Sequence, residues 1–260
     1  MRKTTSTIIT LGALMLLSLA SCKKDDTLYR GNVTMGNIED ETIISDQGNR
    51  FDIVETPFEI NFAEYEYGRV MLACDVLKQT SDKRYDIRVL GMSSVLTKEA
   101  VKSSTITDPE SELAVEDAII IKDIWYGGGY LNMLIQFAQQ KGSTTKHFIN
   151  LIYDDTKAAD SENSSSYTFT LRHNAYGEVP SNNGTFVSSS GYVSFPIANI
   201  IKGDQAEIIM KWKSHRLTNI GEYDLYNTEE RAERYPWKRS GYEHPETAAI
   251  TSPAFRSIAR

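Results

Sequence analysis

The clearest chemistry in this sequence belongs to a thiol. Leu19-Ala20-Ser21-Cys22 follows an apolar run from Ile8 to Leu19, and Arg2 and Lys3 stand ahead of that run. A charged start, a short greasy centre and small residues before a cut make a secretion signal. The apolar run is too short to cross a hydrocarbon core about 30 Å thick as a helix. A cysteine directly after Leu-Ala-Ser is the pattern of a bacterial lipoprotein signal. The Cys22 thiol takes a diacylglycerol, and cleavage makes Cys22 the first residue. Each buried CH₂ of an acyl chain adds about 0.8 kcal/mol, so two or three chains hold firmly. The expected address is therefore the outer membrane. Lys23-Lys24-Asp25-Asp26, just after the cysteine, has the Lys and acidic pair of a lipoprotein surface-export signal, and a generic solvated tether is the alternative.

Other side chains that could do chemistry are less marked. His147, His173, His215 and His244 form no metal-binding spacing. His147 and His173 stand at strand ends and could meet, but zinc needs three or four ligands. Histidines satisfied by backbone carbonyls are the simpler reading, so no metal is assigned. Asp154, Asp155, Asp160 and Glu162 crowd one loop without the spacing or central Gly of a calcium loop. There is no Gly-x-Ser-x-Gly elbow. Gly127-Gly128-Gly129 lacks both a following Lys-Ser/Thr and a helix, so it reads as a hairpin turn rather than a phosphate cradle. No catalytic residue and no cofactor is assigned. The most suggestive group is Trp125-Tyr126-Gly127-Gly128-Gly129-Tyr130. Rings exposed at a turn can stack on a sugar or grip a protein. On that basis Trp125, Tyr126 and Tyr130 are the candidate ligand-binding residues. The competing reading packs Trp125 and Tyr130 across the hairpin.

Composition narrows the partners. The chain has 260 residues and a formal charge of −7. Losing residues 1–21 removes Arg2 and Lys3 and takes the charge to −9. Such a protein repels phosphate backbones, so nucleic acid is excluded as a partner. Membrane contact through the lipid, and an envelope protein or a glycan, are the partners left. With Cys22 acylated, Cys74 has no intramolecular partner. It shares the apolar side of Val70-Leu72-Cys74-Val76 and reads as a buried, inert thiol.

The elements that would position these groups are all β. Residues 22–28 form the tether. Residues 29–103 alternate short β-type runs with turns, including Asp46-Gln47-Gly48-Asn49 and a bend or bulge at Gly91. About five strands in this length suit an OB-like small barrel. Residues 104–116 are polar and read as a linker. Residues 117–226 hold six or seven strands and suit a β-sandwich. Ala118–Trp125 reads as a strand buried on both faces. Tyr130–Phe137, His147–Tyr153, Tyr167–His173, Tyr192–Phe195 and Glu207–Trp212 follow, with 179–190 as loop. From Asn227 the pattern stops. Glu229–Arg234 suit one or two helical turns ended by Pro236, and 227–260 reads as a polar tail.

Several stretches resemble one family. Lys122-Asp123-Ile124-Trp125-Tyr126-Gly127-Gly128-Gly129-Tyr130-Leu131-Asn132 resembles the signature of NigD-like proteins. Lys146–Leu151, Leu171–Gly177 and Gly191–Phe195 extend the likeness, and Gly31-Asn32-Val33-Thr34 fits the family's first domain. The resemblance implies Bacteroidetes lipoproteins with an N-terminal OB-type barrel and a C-terminal β-sandwich. It carries no catalytic residue to transfer. Residues 57–66 depart from it as a longer loop. The expected role is a non-catalytic, envelope-anchored lipoprotein that binds or interacts at the cell surface. The alternative is a carbohydrate-binding accessory protein of an outer-membrane glycan uptake system.

Overall fold

A computed structural model describes residues 27–158, 166–180, 185–218 and 221–238. Cys22, the Asn183-Gly184 turn, Asp160, Glu162 and everything past Lys238 lie outside the described residues.

Alternation builds the first unit. Strands β1 (Tyr29–Glu39), β2 (Thr42–Ser45), β3 (Arg50–Glu55), β4 (Arg69–Ser81) and β5 (Arg84–Ser94) close into a barrel in the order β1-β2-β3-β5-β4. β3 and β5 run parallel, and every other pair is antiparallel. Every second residue of β4 points inward. Val70, Leu72, Cys74 and Val76 thus join Ile43, Phe51, Ile87 and Val89 in the interior. Burial pushes the Cys74 thiol up to about 11, which keeps it protonated and inert. Ala73 faces Gly91 while Cys74 faces Val89, so Leu90 is the extra residue of a bulge and is exposed. The 57–66 loop brings Ile60, Phe62 and Tyr65 against the same interior.

The chain then enters the sandwich. β6 (Leu96–Thr97) and β7 (Val101–Lys102) are two-residue strands, and each joins a different sandwich sheet in parallel. Residues 96–102, read from sequence as the end of the barrel domain, thus pair with the second domain. The 104–116 stretch is fastened down rather than loose. Arg172 donates to the Ala114 carbonyl at 2.9 Å, and the Tyr176 hydroxyl donates to Glu112 at 2.9 Å. The remaining strands are β8 (Ile120–Gly127), β9 (Tyr130–Gln140), β10 (Phe148–Tyr153), β11 (Ser166–Asn174), β12 (Phe186–Pro196), β13 (Gln205–Leu217) and β14 (Tyr223–Lys238). They form sheets β14-β13-β11-β10-β7 and β6-β12-β9-β8. Leu131, Met133 and Ile135 of one sheet face Phe169, Leu171, Ile208 and Met210 of the other. The all-β class, with a small closed barrel of five strands followed by a sandwich, is the one expected.

Three local readings differ. β8 is an edge strand with Lys122 and Asp123 exposed, not a strand buried on both faces. β12 begins at Phe186, inside the expected loop. Its serines Ser188–Ser190 pair with Gln136–Ala138 because the long β9 supplies a ladder that outweighs the weak strand preference of serine. The expected helical turns after Asn227 are instead β14, paired with β13 as far as Gln205–Lys238. Its outer face is charged because edge strands tolerate, and are protected by, charge. Pro236 is acceptable there because an edge strand has one side without a ladder. Tyr235 packs against the core, and Trp237 is 5 % exposed within it. Trp237→Ala should therefore cost about 3–5 kcal/mol, measured by chemical denaturation. A cost near zero would mean that β14 contributes nothing to the sandwich.

Candidate functional site

Between barrel and sandwich lies a buried polar cluster centred on Arg69. This is the first residue of β4, on the face opposite the barrel interior. Its side chain is 1 % exposed and that of Asp46 is 5 % exposed. Arg69 Nη2 donates to Asp46 Oδ2 at 2.7 Å and to Asn132 Oδ1 at 2.9 Å. Nη1 donates to Asn37 Oδ1 at 2.9 Å, and Nε to Ser194 Oγ at 3.0 Å. Asn132 and Ser194 are direct partners across β9 and β12, which sets their side chains together. The Ser194 hydroxyl donates to Asn132 Oδ1 at 2.7 Å, and Asn132 Nδ2 donates to Asp46 Oδ2 at 3.3 Å. The ring of Tyr130 lies 3.9 Å from the guanidinium carbon, a cation–π contact strengthened by the absence of solvent.

The glycine run completes this joint. A Cβ on Gly127 or Gly128 would fall 2.7 or 2.6 Å from the Asp46 carboxylate. Gly128 has φ +59°, a left-handed conformation suited to glycine. Its N–H donates to the Asp46 carbonyl at 3.2 Å. Both facts require glycine where the β8–β9 turn meets the barrel. Trp125 is half-buried and meets Tyr192 edge-on, with centroids 6.3 Å apart and planes at 79°. The two rings pack against Met35, Met71 and Val95. Tyr126 is 4 % exposed and points into the sandwich core, where burial raises its hydroxyl pKa. The three aromatics are therefore split between the joint (Trp125, Tyr130) and the sandwich core (Tyr126). None stands as a free ring on an exposed turn, and Trp125 pairs with Tyr192 rather than Tyr130.

His147 and His173 do come together. His173 Nδ1 lies 3.0 Å from the Ala118 carbonyl, which only accepts, so Nδ1 carries the proton. Its Nε2 then accepts from His147 Nδ1 at 2.9 Å. His147 Nε2 lies 3.5 Å from Glu178 Oε2. Phe137 stacks on both imidazoles. Burial, and next the neighbouring His147, lower His173 to about 4. Hydrogen bonds from Ser143 and Thr145 lower Glu178 to about 2. Among the described residues no group of three or more His, Cys, Asp or Glu side chains is placed to hold a metal.

Residues 102–225 match the NigD-like C-terminal beta sandwich domain. This part of the chain is a NigD-like domain. Solved structures share the fold at low identity. A NigD-like immunity protein from Bacteroides caccae is 17 % identical with a TM-score of 0.56, over 81 % of this chain and 98 % of that one. A protein described as toxin-related from Parabacteroides distasonis is 21 % identical at 0.53, over 80 % and 92 %. One described as a lipoprotein from Bacteroides fragilis is 14 % identical at 0.54, over 79 % and 97 %. No curated protein matches in sequence.

Within the NigD-like domain the stretch Trp125–Asn132 supplies Trp125, Gly127, Gly128, Tyr130 and Asn132 to the joint. Sequence reading missed Arg69, Asp46 and Ser194. One signal was present: Val70–Cys74 is apolar at every position, which marks a strand covered on both faces. The charged residue opening such a strand had to find a buried partner.

The histidine pair gives a pH signature. His173 is held below its ordinary pKa of 6.5, so the unfolded chain binds a proton that the folded chain refuses. The stabilisation is complete above pH 6.5 and is lost as pH falls towards 4. The 2.5-unit difference sets an upper bound of about 3 kcal/mol. Denaturation midpoints should fall from pH 7 to pH 4.5 in the native chain and fall less in His173→Gln. Equal slopes would remove His173 from this role.

Proposed function

We propose that this chain is a non-catalytic lipoprotein of the outer membrane, anchored through Cys22 and facing the cell exterior, that acts by holding a partner. The observation that carries the binding reading is a cleft of about 400 Å³ on the barrel, lined by Tyr29, Asn32, Asn49, Phe51 and Tyr85 among others. That size lies in the range of ligand sites, about 300–1,000 Å³, and the lining mixes rings with carboxamides as such sites do. Trp125 and Tyr130 are engaged in the joint and Tyr126 in the core, which moves the binding surface from the hairpin turn to the barrel.

Anchoring rests on Leu19-Ala20-Ser21-Cys22 and is supported by the likeness to a protein described as a lipoprotein. No helix of the described residues is long and apolar enough to cross a membrane. From Cys22 to Tyr29 the backbone reaches at most about 25 Å, so the barrel would stay close to the bilayer. A relative named as an immunity protein suits a chain that binds without turnover. Cys22→Ser should release the protein from the membrane fraction, and protease added to intact cells should degrade the native form. A Cys22→Ser chain that still sediments with membranes would refute the anchor, and complete protection in intact cells would refute surface exposure.

A further inference from the structure

The cleft lies where one barrel strand outruns its neighbour. β1 pairs with β4 from Tyr29 onward, but β2 accompanies β1 only from Gly36 to Glu39. Asp46 N–H adds one more bond, to the Met35 carbonyl at 3.0 Å. Main-chain groups of a strand alternate between its two edges, so residues two apart point the same way. Val33 therefore directs its N–H and C=O to the side of β2, past the point where β2 has ended. The cleft opens there, with Val33 and Asn32 on its wall and Phe51, Val76 and Tyr85 beneath. The Phe51 and Tyr85 rings lie 5.8 Å apart, centre to centre. Tyr29, 67 % exposed, stands at the rim.

We propose that this cleft takes an extended polypeptide segment, which adds to the free edge of β1 at Val33 and sets one large apolar side chain on the Phe51–Tyr85 floor. The proposal rests on the binding reading above and names the partner's chemistry. An added strand sits about 4.8 Å from β1, where β2 would have continued. Main-chain bonds to Val33 supply affinity, and the aromatic floor selects a residue, as strand addition requires. A saccharide has no repeating N–H and C=O to match such an edge. Side chains alternate along an extended segment, so the one favoured sets a large apolar residue between polar neighbours.

The test uses the full mature chain with Cys22→Ser and a phage-displayed library of random heptapeptides, counter-selected on a Val33→Pro variant. Proline at position 33 removes the N–H that points to the free edge and leaves the β4 ladder intact. The expected result is enrichment of sequences that alternate polar residues with large apolar ones. A synthetic copy should bind at least tenfold more weakly to Val33→Pro and to Tyr85→Ala. N-methylation of the peptide residue opposite Val33 should cause a similar loss against the unmodified chain, which covers the case of a Val33→Pro variant that folds poorly. Lack of enrichment, or binding insensitive to N-methylation, overturns the proposal. A glycan array that yields a saccharide shifting the Val33 and Tyr85 resonances overturns it too, while leaving the broader binding role standing.

Discussion

A guanidinium with 1 % of its side chain exposed cannot be left unpaired, and the arrangement of this molecule follows from how Arg69 is satisfied. Removing a charge from water costs several kcal/mol even after relaxation, and attraction to a partner repays it only with good geometry and further hydrogen bonds. Arg69 meets both conditions by drawing partners from separate regions. Asp46 and Asn37 come from the barrel, and Asn132, Ser194 and Tyr130 from the sandwich. The cluster is satisfied only when the two domains meet in one orientation. The barrel supplies the neutralising carboxylate, while the sandwich supplies the other hydrogen bonds and the ring that replace water around the pair, so the same contacts that bury the charge specify the joint.

This joint explains the composition of the hairpin turn. Glycines at 127 and 128 allow the barrel's Asp46 to approach the turn closely, and Tyr130 covers the cation. Trp125 closes the apolar flank with Tyr192, Met35 and Met71. An aromatic, glycine-rich motif in a secreted protein suggests a ligand platform, and here the same chemistry serves an internal contact. The proposed recognition then falls to surfaces the joint does not use. The barrel cleft beside β1 is such a surface, because the shortness of β2 leaves the Val33 backbone edge and the half-buried Tyr85 ring open there.

What could be read from the sequence was local. The inward set Val70, Leu72, Cys74 and Val76 and the alternation in Tyr167–His173 placed the strands and their inward faces, and the glycine run placed the β8–β9 hairpin. Long-range pairing was not legible. The partners of Arg69 lie 23, 32, 63 and 125 residues away in sequence, and no period links them. Edge strands were also misread, for a physical reason. β14 carries Glu229, Glu230, Arg231, Glu233 and Arg234 because its outer side faces solvent, and such a run looks like helix or tail until β13 is known to lie beside it. Ser188–Ser190 were hidden likewise, since their strand is imposed by β9 and not by their own preference.

Differential scanning calorimetry of the native chain and of Arg69→Met bears most directly on the joint. If the buried cation couples the two domains, the native chain unfolds in a single transition. In Arg69→Met that transition then separates into two, a barrel step and a sandwich step, with the lower one several degrees below the native midpoint. A single transition in both proteins at nearly the same temperature would contradict the account, because the domains would then be joined by something other than Arg69 and its partners.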